Sequence, residues 1–202
     1  SNGDSGPVIE VSEGGTYTVT VRDANGCLAT DTLTILPPLA VSATPAVQVS
    51  CLLNDGVVTI AAQGGSGSYE YDLLDAGGIS VVGAPQASNA FSGLAPGTYT
   101  AVVYDTSGTG CDAQVPVTLE PPTPVSFTTV AQDVSCFGAS DGFISVSLDP
   151  GMDNPPYSYE LYNSGGALIA GPQAGPVFAG LSADTYTVRV ISGRSCEATV
   201  NE

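Results

Sequence analysis

The chain has 202 residues, with 20 acidic side chains, three arginines, no lysine and no histidine, for a formal net charge of −17. That sign repels phosphate backbones and anionic lipid, which excludes nucleic acid as a partner, and no apolar run reaches the ~18 residues that span a bilayer, so no membrane insertion by this segment is expected. Histidine, the commonest general base, is absent; no serine stands in a Gly-x-Ser-x-Gly elbow and no glycine cluster carries the lysine of a phosphate loop, so the chain reads as a non-enzyme with no catalytic or cofactor-binding residue.

Apolar residues alternate with Thr, Ser and small polar residues, and no stretch sustains a 3.6-residue period, so an all-β chain is expected. The first strand starts at Gly15-Thr16-Tyr17-Thr18-Val19-Thr20-Val21 and leads through Asp23-Ala24-Asn25-Gly26 to Cys27. Strands follow over about 40–50, 57–62, 69–74, 79–83, 88–92, 98–104 and 112–119, then over about 125–134, 143–148, 157–162, 167–170, 176–179, 185–191 and 196–201. Glycine and proline fall mainly between these runs, as at Gly64-Gly65-Ser66-Gly67 and Asn154-Pro155-Pro156, where turns and edge protection need them.

These runs are copies of one another. Gly97-Thr98-Tyr99-Thr100 and Asp184-Thr185-Tyr186-Thr187 repeat the Tyr17 strand; Val49-Ser50-Cys51 matches Val134-Ser135-Cys136; Asp55-Gly56 matches Asp141-Gly142; Phe91-Ser92-Gly93-Leu94 matches Phe178-Ala179-Gly180-Leu181. The period, about 85 residues from Cys51 to Cys136, is that of a small β-sandwich and longer than a solenoid repeat. The expected organisation is therefore 1–38, the C-terminal part of one repeat, truncated at its front, then complete repeats at 39–122 and 123–202, in a piece cut from a longer array. Leu36-Pro37-Pro38-Leu39 and Glu120-Pro121-Pro122-Thr123-Pro124 are the linkers, stiffened by consecutive prolines.

Five cysteines occupy two kinds of place. Cys51 and Cys136 precede an Asp-Gly turn, whereas Cys27, Cys111 and Cys196 follow the strand that begins with the shared tyrosine. Cys111 and Cys196 each lie 60 residues beyond Cys51 and Cys136. This regularity favours disulfides over zinc, since no Cys-x-x-Cys is present, and with them an oxidising, extracellular setting. Two pairings remain open. Cys51 with Cys111 and Cys136 with Cys196 would staple each repeat to itself. In a Greek-key sandwich, however, those turns lie at opposite poles, a strand length of roughly 20–25 Å apart, which points Cys51 to Cys196 of the next repeat instead.

Acidic turns raise calcium as a cofactor, with Asp149, Asp153 and Asn154 as the first candidate ligands, although Asp, Asn and Gly are also what tight turns require. Tyr69, Tyr71, Tyr157, Tyr159 and Tyr162 offer aromatic faces on which a surface polysaccharide could stack, and alternation places Tyr157 and Tyr159 together on one face.

Leu94-Ala95-Pro96-Gly97-Thr98-Tyr99 resembles the corner of immunoglobulin-like and fibronectin type III sandwiches, where a tyrosine hydroxyl bonds back to the backbone. Tyr17, Tyr99 and Tyr186 are then structural corner residues in tandem Ig-like sandwiches. Ser50-Cys51 with Asp55-Gly56, Ser135-Cys136-Phe137-Gly138-Ala139-Ser140-Asp141-Gly142, Pro156-Tyr157-Ser158-Tyr159, the Thr-Tyr-Thr-Val corner and Pro121-Pro122 resemble the SprB-type repeats of Bacteroidota cell-surface adhesins. The opening Ser1-Asn2-Gly3-Asp4 and the Gly14 to Cys27 stretch resemble the tail of a PKD-like or Ig-like repeat of the same kind of protein. Cys51-Leu52-Leu53-Asn54 departs from the usual Cys-Phe-Gly. The resemblance implies a very large surface protein, exported by type IX secretion and used in gliding motility or attachment. In it this segment would be a stalk, its partners the neighbouring repeats of the same chain. A lectin-like module, or a subunit of a polymeric fibre completed by a strand in trans, is the alternative.

Overall fold

The computed structural model describes residues 6–107, 110–152 and 154–202, so the opening Ser1-Asn2-Gly3-Asp4 lies outside the described residues. Among the described residues there are strands and turns but no helix, and hence none long and apolar enough to cross a membrane. In chain order the strands are β1 (Gly15–Arg22), β2 (Leu28–Ile35), β3 (Ala40–Val47), β4 (Gly56–Gln63), β5 (Tyr69–Leu74), β6 (Ala90–Leu94), β7 (Gly97–Asp105), β8 (Asp112–Leu119), β9 (Phe127–Gln132), β10 (Gly142–Leu148), β11 (Tyr157–Tyr162), β12 (Leu168–Gln173), β13 (Val177–Leu181), β14 (Thr187–Ser192) and β15 (Glu197–Asn201).

They form five sheets: the β1-β2 hairpin, β3-β4-β6, β5-β7-β8, β9-β10-β13 and β12-β11-β14-β15. Sheets β3-β4-β6 and β5-β7-β8 follow the same strand order as β9-β10-β13 and β11-β14-β15, with β12 added at the edge of the last, an arrangement of the tandem Ig-like β-sandwich kind. The chain divides into two compact units, Ser1–Pro45 with Val58–Phe91 and Thr98–Thr118, and Ala46–Val57 with Ser92–Gly97 and Leu119–Glu202.

In the first unit β1 pairs with β2 antiparallel from Gly15 opposite Ile35 to Arg22 opposite Leu28. Their turn is shaped by Asp23, whose Oδ1 accepts the amides of Asn25 at 2.9 Å and Cys27 at 2.8 Å. Val58 and Ile60 on β4 are buried at alternate positions, as period-two strands require, and Leu73 on β5, Phe91 on β6 and the run Ala101-Val102-Val103 on β7 are buried as well. In the second unit one core joins both sheets: Phe127, Ile144, Val146 and Phe178 from one, and Tyr159, Leu161, Val188 and Val190 from the other.

The corners follow from the same chain logic. The Tyr17 hydroxyl donates to the Glu13 carbonyl and the Tyr186 hydroxyl to the Ser182 carbonyl, each four residues back and each at 2.7 Å; Tyr99 is buried. Residues 79–83, expected as a strand, form only isolated bridges, Leu74 with Ser80 and, further on, Tyr71 with Gln86. The cause is Asp72, a carboxylate only 4 % exposed that must find donors. It takes the Ser80 hydroxyl at 2.6 Å and the Leu73 amide at 2.8 Å, which fixes Ser80 by its side chain. In the last repeat the corresponding segment completes an edge strand, β12.

Candidate functional site

The loop joining β3 to β4 opens with Val49-Ser50-Cys51 and closes with Asp55-Gly56. Asp55 turns back onto its start: Oδ1 accepts the Ser50 amide at 2.7 Å. That amide, the Ser50 hydroxyl and the field of Arg194 hold the Asp55 carboxyl below the usual carboxylate range. Glycine follows because nothing larger fits. A Cβ on Gly56 would lie 2.7 Å from Leu119 Cδ1 and 2.9 Å from both the Leu94 carbonyl oxygen and Val49 Cγ2.

The turn between β14 and β15, residues 192–196, is the second component. The Ser192 amide donates to the Cys196 carbonyl at 2.8 Å, and the Cys196 amide to Ser192 Oγ at 3.1 Å. The Gly193 amide donates to the Asn154 carbonyl at 2.9 Å, and the approach is so close that a Cβ on Gly193 would lie 2.6 Å from the Pro155 carbonyl oxygen. Ser195 has φ +57°, the one non-glycine residue in the left-handed region among the described residues. An L-residue there costs about 1–2 kcal/mol, and it sits between the two residues that hold the β3–β4 loop.

Those residues are Arg194 and Cys196. Arg194 donates from Nε to the Val49 carbonyl at 2.8 Å, from Nη2 to the Glu120 carbonyl at 2.6 Å, and from Nη1 to the Pro121 carbonyl and Asn154 Oδ1, each at 3.4 Å. Its own carbonyl accepts the Cys51 amide at 2.9 Å. Within this frame Cys51 and Cys196 form a disulfide with Cα atoms 4.9 Å apart, inside the ordinary range. Cys196 is buried. The whole clasp lies in the second unit.

Of the two pairings left open by the cysteine spacing, Cys51–Cys196 is the one formed; Cys136 is not bonded to Cys196. The reason is strand length. Val134, just before Cys136, shares a depression with Tyr186 and Glu202, at the start of β14 and just past the end of β15. Cys196 sits at the opposite end of β14, six residues or about 20 Å away.

The loop joining β9 to β10 copies the first half of the clasp. The Ser135 amide donates to Asp141 Oδ1 at 2.9 Å, and the Ser135 hydroxyl and amide hold Asp141 below its usual range. Cys136 is an exposed thiol, and Phe137 beside it is 106 % exposed. The depression, about 260 Å³, is lined by Val134, Gly142 and Leu181 together with Asp133, Asp184 and Glu202. Cys27, closing the β1–β2 turn, is likewise an exposed thiol. Cys111 is exposed, and its carbonyl accepts the Asp105 amide at 3.0 Å.

The other candidates have structural work. Asp149 accepts the Ser126 hydroxyl. Asn154 is 4 % exposed, donates from Nδ2 to the Thr123 carbonyl at 2.7 Å and turns Oδ1 to the Arg194 guanidinium. Asp153 lies outside the described residues. Among the described residues no group of three or more His, Cys, Asp or Glu is placed to hold a metal. Tyr159 is buried, the Tyr69 hydroxyl donates to the Gly64 carbonyl, and the Tyr157 hydroxyl accepts the Asn154 amide at 3.1 Å.

Sequence reasoning gave Arg194 no role and read Asn154 as a calcium ligand rather than as a partner of that arginine; the available signal was one of only three arginines standing two residues before a cysteine. It also passed over Gln86 and Gln173. Gln173 Nε2 donates to the Gly175 and Val177 carbonyls and Gln86 Nε2 to those of Ser88 and Ala90, a shared brace whose trace is Pro-Gln-Ala before Phe-x-Gly-Leu in both copies.

Comparison with known proteins gives a family-model match over two segments and a set of solved structures that are similar. The SprB repeat model matches residues 43–78 and 128–166. No curated protein sequence matches the chain. Among solved structures, the amphioxus IgVJ-C2 molecule is 12 % identical over 81 % of this chain and 94 % of its own, with a TM-score of 0.34. Immunoglobulin domains 1–5 of Sidekick-1 are 12 % identical over 96 % of this chain and 46 % of that one, at 0.38. A two-domain fibronectin type III segment of chicken tenascin is 14 % identical over 82 % and 95 %, at 0.30. Each family match contains one Ser-Cys loop with its Asp-Gly closure, so the two segments 43–78 and 128–166 are similar to SprB repeats in the residues that build the clasp.

Proposed function

We propose that this chain is a non-catalytic stalk segment of a large extracellular adhesin, its repeats 39–122 and 123–202 acting as folded spacers that hold a distal binding element away from the cell. The observation that carries this reading is the clasp, in which Cys51 of one repeat is bonded to Cys196 of the next. Clamping successive repeats covalently serves transmission of tension; it does nothing for a reaction. The disulfide also favours an oxidising compartment outside the cytosol. A net charge of −17 suits a long exposed chain that must stay soluble and not adhere to its own copies. The PKD-like start, export by type IX secretion and use in gliding motility or attachment belong to the same reading, which draws on the SprB repeats.

Purified protein offered to surface polysaccharides from host or biofilm tests it. A stalk binds none of them while cells carrying the parent protein still attach. Saturable glycan binding by the purified segment alone would replace the stalk with a lectin-like module.

A further inference from the structure

The half-clasp around Cys136 is built like the occupied one around Cys51. Both loops close by a serine amide on an aspartate Oδ1, at 2.7 Å for Ser50 on Asp55 and 2.9 Å for Ser135 on Asp141. Both follow with a glycine against neighbouring backbone: a Cβ on Gly142 would lie 3.1 Å from the Gln132 and Leu181 carbonyl oxygens. At Cys51 the thiol is consumed and an arginine is seated on nearby carbonyls. At Cys136 the sulfur and the neighbouring Phe137 ring stand in solvent.

The charge of this end also has a direction. Asp133, Asp184 and Glu202 line the depression and no basic side chain does. An Arg-Ser-Cys turn such as residues 194–196 brings a guanidinium together with a sulfur, and in the occupied clasp that guanidinium is seated on the carbonyl of Val49, whose sequence counterpart here is Val134. We propose that Cys136 is the open half of a second clasp, taken by the cysteine of the corresponding β-turn of a further sandwich repeat following in the same polypeptide. The two thiols lose two protons and two electrons to form one S–S bond, and the electrons reduce the disulfide of a thiol oxidoreductase to its dithiol. The proposal rests on the extracellular placement put forward above.

Its consequence is mechanical. The bond spans 145 residues, whereas the repeat is about 85 residues long, from Cys51 to Cys136. Successive links of this kind overlap along the chain. Unravelling any one repeat then lengthens the stalk little, because at least one bond always bypasses it.

Native protein, alkylated without reduction, digested and read by mass spectrometry, tests this at one residue. The expected peptide joins Cys136 to a cysteine from a turn between the last two strands of a later repeat, and Cys136→Ser leaves that cysteine alkylated while Cys51–Cys196 persists. Alkylated Cys136 in the native protein overturns the proposal, as does a bond from Cys136 to Cys27 or Cys111 of this or another copy. Those results leave the stalk standing; loss of Cys51–Cys196 itself would strike that reading separately.

Discussion

Arg194 is held by carbonyl oxygens, which cannot move to find new donors. Arg194→Met keeps the aliphatic stem but strips the donors from Val49, Glu120 and Pro121. Such a loss costs about 1–3 kcal/mol, and urea unfolding followed by near-ultraviolet absorbance of the tyrosines should show it. Gly56→Ala tests the opposite fault, excess volume. Its Cβ meets the Leu94 carbonyl at 2.9 Å, and backbone gives way less readily than a side chain, so a penalty of about 1–3 kcal/mol is expected. The acid limb belongs to this scale too. Asp55 and Asp141 are lowered chiefly by the amide and hydroxyl of Ser50 and Ser135, so their ionised forms stabilise the fold. That contribution is complete above the unfolded carboxylate value of about 3.9 and is lost as pH falls through the lower folded values. Asp55→Asn should flatten part of the fall in unfolding free energy below about pH 4, leaving the neutral plateau to report any loss of the hydrogen bond itself.

Strands show how much of this protein is legible in its sequence. Period-two alternation located β5, β8 and β11 at their observed bounds, because Tyr69, Tyr71 and Leu73 on β5, like their counterparts on the other two, recur at every second position and end at turn residues. The segment 79–83 went wrong because a buried carboxylate on β5 claimed Ser80, and burial of Asp72 has no trace in local alternation. The clasp was half legible. Cysteine spacing and strand length left two pairings open, and the structure forms Cys51–Cys196. Arg194 stayed hidden because most of its acceptors are backbone carbonyls, which every residue possesses and no residue type announces. The glutamine brace beside β12 offers a test at this scale. Gln173→Ala frees the Gly175 and Val177 carbonyls, at a cost of about 1 kcal/mol. Hydrogen exchange should quicken in β12 and β13 first, with β14 unaffected; uniform quickening would mean that the brace serves the whole sandwich.

For the whole molecule, the disulfide outweighs any single packing contact. Closing a loop of 145 residues removes unfolded-state entropy worth about 5 kcal/mol in the chain-entropy model. Cys51→Ser should therefore lower the unfolding free energy by about 2–5 kcal/mol, with the sandwich cores intact by hydrogen exchange. Tension tests the role of that bond most directly. Held by its two ends and stretched by optical tweezers in oxidising buffer, the protein should lengthen only by the residues outside the Cys51–Cys196 loop. Reductant should then release the enclosed chain, roughly 500 Å at about 3.5 Å per residue. An equal contour length before and after reduction would contradict a covalent clasp between successive repeats, and with it the tension-bearing stalk.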